Sequence, residues 1–326
     1  MFPISPKLKQ RFCKDQKISI DIFSEPYFSD RVALFDRFYD VTKKYITFQE
    51  SLEPYNDELE YLADYNRIKD EAISFIKSSK SYVRLNRMDM GVFNIEEPFK
   101  TKYRSLYSPE NDGRRFVSVD LRQANFNTLK RFGYDMFYSD TWEDFLRKFT
   151  DNKHIISSKY IRQVILGNCN PGRHIRIETF EMHKLMRKLE KFLSNFKDSK
   201  EFDNIATVHN DEFVFDVTEF EEREVYFFMY FINGYSFISG YSYLPVNVTY
   251  FKLFHLGGNG YLKCFADRSV EIKSVEIEYL PMVMKKLLGL EITSEDKTFY
   301  FRDCLVKFLE TPKWIENVKA LGDYEC

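Results

Sequence analysis

Phe116-Val117-Ser118-Val119-Asp120 and Val208-His209-Asn210-Asp211-Glu212-Phe213-Val214-Phe215-Asp216-Val217 are the stretches on which the reading of this chain turns. Both are rich in β-branched and aromatic residues, the composition of a strand packed against a core. Asn210 and Asp211 interrupt the second run with turn residues. Ile205-Ala206-Thr207-Val208 and Phe213-Val214-Phe215 are therefore expected to form a β-hairpin that carries carboxylates at its tip. A neighbouring strand that ends at Asp120 sets a further acidic side chain beside Asp211 and Glu212. Carboxylates so grouped suit two Mg2+ ions about 3.5–4 Å apart, which lower the pKa of an attacking hydroxyl and offset the charge of a leaving pyrophosphate. Mn2+ favours similar oxygen ligands and can substitute.

The surrounding residues carry a resemblance. Tyr103-Arg104-Ser105-Leu106-Tyr107-Ser108-Pro109-Glu110 leads through Gly113 into Val117-Ser118-Val119-Asp120-Leu121-Arg122-Gln123-Ala124-Asn125-Phe126. This resembles the approach to motif A of family A (DNA polymerase I-like) nucleic-acid polymerases. There a basic, aromatic strand and a Pro-Glu-Gly type turn precede an Asp, a Gln three residues later and a Glu two beyond that. The resemblance implies Asp120 as a catalytic metal ligand and Arg104, Gln123 and Asn125 as substrate contacts. Asn125 stands where DNA-copying members carry the Glu that closes off the ribose 2′-hydroxyl.

The segment from Asp211 to Val217 resembles motif C of the same family, Val-His-Asp-Glu followed by alternating apolar residues and an acid. It implies Asp211 as the second metal ligand and Glu212 as a catalytic residue. Asn210 lies between His209 and Asp211, so either the hairpin holds one extra residue or Asn210 takes the histidine's place; both are candidate substrate contacts. The segment from Ser157 to Asn170 resembles motif B of the fingers helix, which places a basic residue five positions before a Gly, as Arg162 precedes Gly167. Lys159, three residues before Arg162, falls on the same helix side, so both can meet one triphosphate. Asn170 corresponds to the family's aromatic residue after that Gly, and Ser158 to its first Arg.

The resemblance spans roughly residues 102–217 and implies an α+β fold. Its parts are a palm with an antiparallel sheet at 101–255, a short helical fingers insertion at 129–200 and a helical, thumb-like region at 1–100. A C-terminal α/β extension at 256–326 has no counterpart in it. The activity implied is template-directed DNA synthesis, with two Mg2+ ions joining nucleoside triphosphates to a 3′-hydroxyl. Its partners are template and primer nucleic acid, nucleoside triphosphates and accessory replication proteins. An RNA polymerase or primase-like enzyme shares the same palm, and a catalytically silent, nucleic-acid-binding palm is the alternative outside enzymes. No candidate 3′–5′ exonuclease is present in the chain.

Periodicity predicts helices over 29–45, 57–77, 178–196, 281–288 and 301–308, and strands over 246–255 and 261–265. In the second helix Leu59, Leu62, Ile68, Ala72, Phe75 and Ile76 are expected on the apolar side. Gly260 to Phe265 with Glu271-Ile272-Lys273 reads as a surface strand pair able to lay a basic edge against nucleic acid. His154, His174, His183 and His255 read as surface or satisfied core residues.

Composition sets the outer bounds. Among 326 residues, 33 Phe and 22 Tyr with only 12 Gly and 10 Pro exclude a disordered chain. That aromatic abundance also matches an AT-rich coding genome, a viral one included. The formal charge of −2 supplies no global attraction for nucleic acid, so binding requires local segregation of charge. Residues 152–200 supply it, with eleven Lys/Arg against four Asp/Glu, and residues 201–224 oppose it with nine Asp/Glu and one Arg. Five scattered cysteines without a CxxC pair or signal peptide fit a reducing cytoplasm, that of a virus-infected host cell included. The uncharged run at 225–251 is long enough for a bilayer, but its Asn, Gly, Ser and Pro residues point to a buried helix, a turn and a strand instead.

Overall fold

The computed structural model describes residues 4–23, 25–193, 202–238, 245–302 and 304–325. Its centre is a six-stranded antiparallel sheet of β1 (Arg115–Leu121), β2 (Ile205–Val208), β3 (Glu212–Asp216), β4 (Val246–Gly257), β5 (Gly260–Phe265) and β6 (Val270–Lys273), in the order β2-β3-β1-β4-β5-β6. A separate hairpin pairs β7 (Thr298–Phe301) with β8 (Cys304–Lys307). Helices of eight residues or more are α1 (Pro6–Gln16), α2 (Phe28–Tyr39), α3 (Val41–Glu50), α4 (Glu58–Ser78), α5 (Lys80–Arg87), α6 (Ala124–Phe132), α7 (Lys159–Gly167), α8 (Pro171–Leu193), α9 (Glu222–Ile238) and α10 (Leu280–Leu287). The chain is thus mixed α/β with an antiparallel sheet.

Register divides the sheet into two unlike faces, because residues opposite each other in an antiparallel pair point to the same side. Val117, Val119, Leu121, Phe213 and Phe215 form an apolar core with Met182, Leu185, Met186 and Leu189 of α8 and Val225, Phe228 and Ile232 of α9. The other face carries Ser118 and Asp120 of β1, Glu212 of β3 and Lys263 of β5, with a smaller cluster that includes Phe116, Val214, Phe251 and Tyr261. A third and larger core runs from Phe12 and Phe48 through Phe126, Trp142 and Ile165 to Leu262, Met282 and Leu287. It draws on the first hundred residues, the segment between β1 and β2, and the C-terminal region alike.

Several local expectations are corrected. The helix expected over 29–45 is two, α2 and α3, because Asp40 takes a left-handed conformation (φ 51°) that short polar side chains tolerate. Leu59 is exposed, and Tyr61 and Tyr65 join Ile68, Ala72 and Ile76 in the buried stripe of α4. Where a helix was expected over 301–308 the chain forms the β7–β8 hairpin, turning at Arg302 (φ 48°), with Phe299 and Phe308 packed together at 4.9 Å and Phe308 stacked on Tyr279 at 5.0 Å. Within 225–251 the helix and the strand are present and the turn falls outside the described residues. The helix is only half-buried, with Tyr226, Phe227 and Tyr230 exposed. No helix among the described residues is long and apolar enough to cross a membrane. Cys13 and Cys169 are buried thiols, whereas Cys264 is disulfide-bonded, which the reading of a reducing compartment did not anticipate.

Candidate active site

Two backbone contacts bring the carboxylates together. His209 N–H donates to the Glu212 carbonyl at 2.8 Å, closing a two-residue turn of Asn210 and Asp211, and Leu121 N–H donates to the Asp211 carbonyl at 2.9 Å. The second bond stitches the hairpin tip to the end of β1, where Asp120 lies directly opposite Glu212. The tip holds no extra residue; the register shift in this hairpin lies at Ile205/Thr207, away from it. Asn210 is therefore the first turn residue, and His209 is an exposed partner of Glu212 on the carboxylate face.

Past Asp120 the chain reverses through Gln123 (φ 48°) into α6, with the Asn127 side-chain amide donating to the Arg122 carbonyl at 2.6 Å. Gln123 Nε2 donates to Glu143 at 3.2 Å, and Asn125 Oδ1 accepts the Phe126 N–H at 2.9 Å. Across from this turn stands α7, capped by Ser158, whose hydroxyl accepts the Ile161 N–H at 3.2 Å. Between them opens a cleft of about 430 Å³, onto which Asp120, Gln123, Asn125, Lys159, Arg162, Asn210 and Asp211 all face.

The cleft is electrically divided. Burial, together with the charges of Asp211 and Glu212, pushes the Asp120 carboxyl up to about 7, against the pull of Lys159 and Lys263. Asp211 is raised as well, by burial and by Glu212, with His209 and Lys159 opposing. Glu212 is held in place by the Ser118 hydroxyl, which donates to Oε1 at 2.5 Å. On the cationic side, burial lowers the pKa of Arg162, and its Nε is buried with no hydrogen-bond partner among the described residues.

This donor set fits Mg2+. Among the described residues no three His, Cys, Asp or Glu side chains form a cage for a metal ion. Mg2+ needs none, since it is commonly held by one or two carboxylates plus water and substrate phosphates. Asp120 and Asp211 could supply such carboxylates, and a cation bound there would offset the burial and neighbouring negative charge that raise Asp120.

Three expected contacts fall outside the cleft lining: His209, one residue before its edge at Asn210, together with Asn170 and Arg104. Asn170, in a left-handed conformation just after α7, donates to Asn86 Oδ1 at 2.7 Å and does not line the cleft. Arg104 is an exposed residue outside the lining, because the segment carrying it runs beside β2, where the Tyr103 N–H donates to the Ala206 carbonyl at 3.0 Å.

Other residues were missed. His174 and Glu178 of α8 are buried in the cleft wall, with His174 Nδ1 3.2 Å from Glu178 and Nε2 3.2 Å from the Leu166 carbonyl at the end of α7. Their i,i+4 spacing was legible, but not the wall they form. Lys263, read as part of a basic surface edge, is buried on the carboxylate face, 4.3 Å from the Phe251 ring. Alternation along Tyr261, Lys263 and Phe265 was the signal for that. Asp216, the trailing acid of the hairpin, accepts hydrogen bonds from the Tyr103 hydroxyl (2.6 Å), Arg114 (3.1 Å) and Thr218 Oγ1 (2.6 Å), so it anchors the approach segment to β3.

Comparison of the chain with protein-family models, with curated proteins and with solved structures finds no match, so what the cleft can do is read from its own geometry.

Proposed function

We propose that this protein is a template-directed DNA polymerase of the family A kind, its sheet the palm and α7 the core of a short fingers region. The observation that carries the reading is the convergence of Asp120, Asp211, Lys159, Arg162, Gln123 and Asn125 on one cleft, from a strand end, a hairpin tip and two helices. Six of the residues that the resemblance singled out thus share one cleft, which supports the reading. In this reading Asp120 and Asp211 hold Mg2+, which supplies a lowered pKa for the primer 3′-hydroxyl and charge neutralisation at the pyrophosphate. Lys159 and Arg162, which line the cleft three residues apart on α7, receive the triphosphate. Asn125 lies beside the sugar. It is one methylene shorter than the Glu of DNA-copying relatives, and exclusion of one small group by fit is worth only about 1–3 kcal/mol, so ribonucleotides are weakly rejected.

Primer extension on a defined template tests this. Asp120→Asn and Asp211→Asn are each expected to abolish incorporation while circular dichroism stays native, because each removes a ligand charge. Wild-type rates in either variant would falsify the assignment of that residue.

A further inference from the structure

Helix α8 joins the two sides of the cleft. Its middle turns lie in the core under the sheet, where Met182 and Met186 share one apolar cluster with Val119 and Phe213, the residues directly before Asp120 and directly after Glu212. The His183 ring also stands edge-on to Phe213, at 5.1 Å. The first two turns of α8 line the cleft instead, with His174 and Glu178 facing the same space as Asp120, Asp211, Lys159 and Arg162. His174 is 4% exposed and Glu178 5%, and both ring nitrogens are engaged: Nδ1 lies 3.2 Å from Glu178 Oε1, and Nε2 3.2 Å from the Leu166 carbonyl in the last turn of α7. A carbonyl oxygen only accepts, so Nε2 carries a hydrogen and donates it. Nδ1 and Oε1 then share a second proton, and the pair is neutral as a unit, the condition under which two ionisable groups persist in a buried wall. The Leu166 carbonyl also accepts the Cys169 N–H at 2.9 Å, so two donors hold it at the corner where α7 gives way to α8.

Resting on the polymerase reading, we propose that His174 is a positioning residue: with Glu178 as its counter-charge it clamps the end of α7 to α8, and so fixes the span between Lys159 and Arg162, which receive the triphosphate, and Asp120 and Asp211, which hold the metal. The two ends of this bracket are close. From His174 to His183 is nine residues, about 14 Å of helix, and a helix seated in a packed core transmits its position with little give. Apolar side chains could fill the same wall without a desolvation cost, but they would leave the end of α7 free to slide; a hydrogen bond to one carbonyl sets direction as well as distance. The N-terminal end of α7 is fixed separately, by the Ser158 hydroxyl that donates to Asp15 at 3.4 Å, and the His174 bond is a polar tie from α7 to the helix under the carboxylates. A metal-bound triphosphate needs both halves of the cleft at one separation, because its α-phosphate sits at the metal while its tail sits at the cations.

The test compares His174→Ala with His174→Gln, whose side-chain amide can still donate to the Leu166 carbonyl. Two calorimetric titrations separate position from charge: inorganic tripolyphosphate in chelator needs only Lys159 and Arg162, whereas dATP with Mg2+ needs the cations and the carboxylates together. His174→Ala is expected to bind Mg2+-dATP on the order of tenfold more weakly than wild type while its tripolyphosphate affinity is unchanged, and His174→Gln to stay within about threefold of wild type for both. In primer extension the KM for nucleotide rises in His174→Ala by a similar factor, and the Gln variant restores it. Equal Mg2+-dATP affinity in wild type and His174→Ala overturns the proposal. A parallel loss of tripolyphosphate binding overturns it as well, since that marks a collapsed α7 rather than a displaced one. If Mg2+-dATP binding depends on His174 as expected but wild type incorporates nothing on a primed template, the clamp stands and the polymerase reading fails; a wild type that binds no Mg2+-dATP overturns both.

Discussion

At Asp120, burial and the like charges of Asp211 and Glu212 act in the same direction, whereas at Asp216, on the same strand pair, bound donors outweigh burial and hold the carboxyl low. The difference has a consequence for pH. A carboxyl at about 7 in the folded protein and at 3.8 when unfolded binds its proton more tightly in the native state. Its contribution to stability is complete below pH 3.8, declines between there and about 7, and is gone above. In chelator, the melting temperature of the wild type is therefore expected to fall from pH 5 to pH 8 more steeply than that of Asp120→Asn. Mg2+ restores it at pH 8 and has little effect at pH 5, where a proton occupies Asp120. Parallel pH profiles for the two proteins, read by calorimetry, would show that Asp120 is not perturbed in this way.

Helix α7 shows how an element inherits its position from both ends. Ser158 caps the N-terminus and donates to the buried Asp15, while the Leu166 carbonyl in its last turn lies 3.2 Å from His174 Nε2. Ser158→Ala removes a cap and one of the donors to Asp15, and is expected to cost about 1–2 kcal/mol, with Ser158→Thr close to wild type. Chemical denaturation of the three proteins checks it; an unchanged midpoint in Ser158→Ala would mean that Asp15 holds α7 without the cap. At this scale most strands were legible, because alternation and turn residues coincide in β1, β2 and β3. The β7–β8 hairpin was not, since an aromatic run such as Phe299-Tyr300-Phe301 satisfies a helix stripe and a strand equally well. The break at Asp40 was hidden for a different reason: one left-handed residue leaves no trace in hydrophobic periodicity.

Across the whole molecule, Arg31 of α2 and Asp296 near the C-terminus form a buried ion pair at 2.9 Å, with Arg31 also donating to the Glu295 carbonyl at 2.5 Å. Both side chains are 3% exposed or less, and the large apolar core surrounds the same junction of N- and C-terminal segments. Asp296→Ala strands a buried guanidinium, and about 3–5 kcal/mol of destabilisation is expected, spread over one cooperative unfolding transition. Replacing both partners with apolar residues, Arg31→Met with Asp296→Leu, recovers most of the loss. Two separate transitions in Asp296→Ala would show that the C-terminal region folds independently of α2.

By itself the sequence determined the hairpin with its acidic tip, the strand that ends at Asp120 and the apolar stripe of α8. Each is a local pattern, written in neighbouring residues through alternation, capping and turn chemistry. Only the tertiary structure decided that Asp120 faces Glu212, that Lys263 is buried on the carboxylate face, that Arg104 and Asn170 lie outside the cleft, and that Asp15 of α1 reaches the cap of α7. Those relations depend on strand register and on contacts between residues more than eighty positions apart, and no periodicity within a segment records which distant segment it will meet.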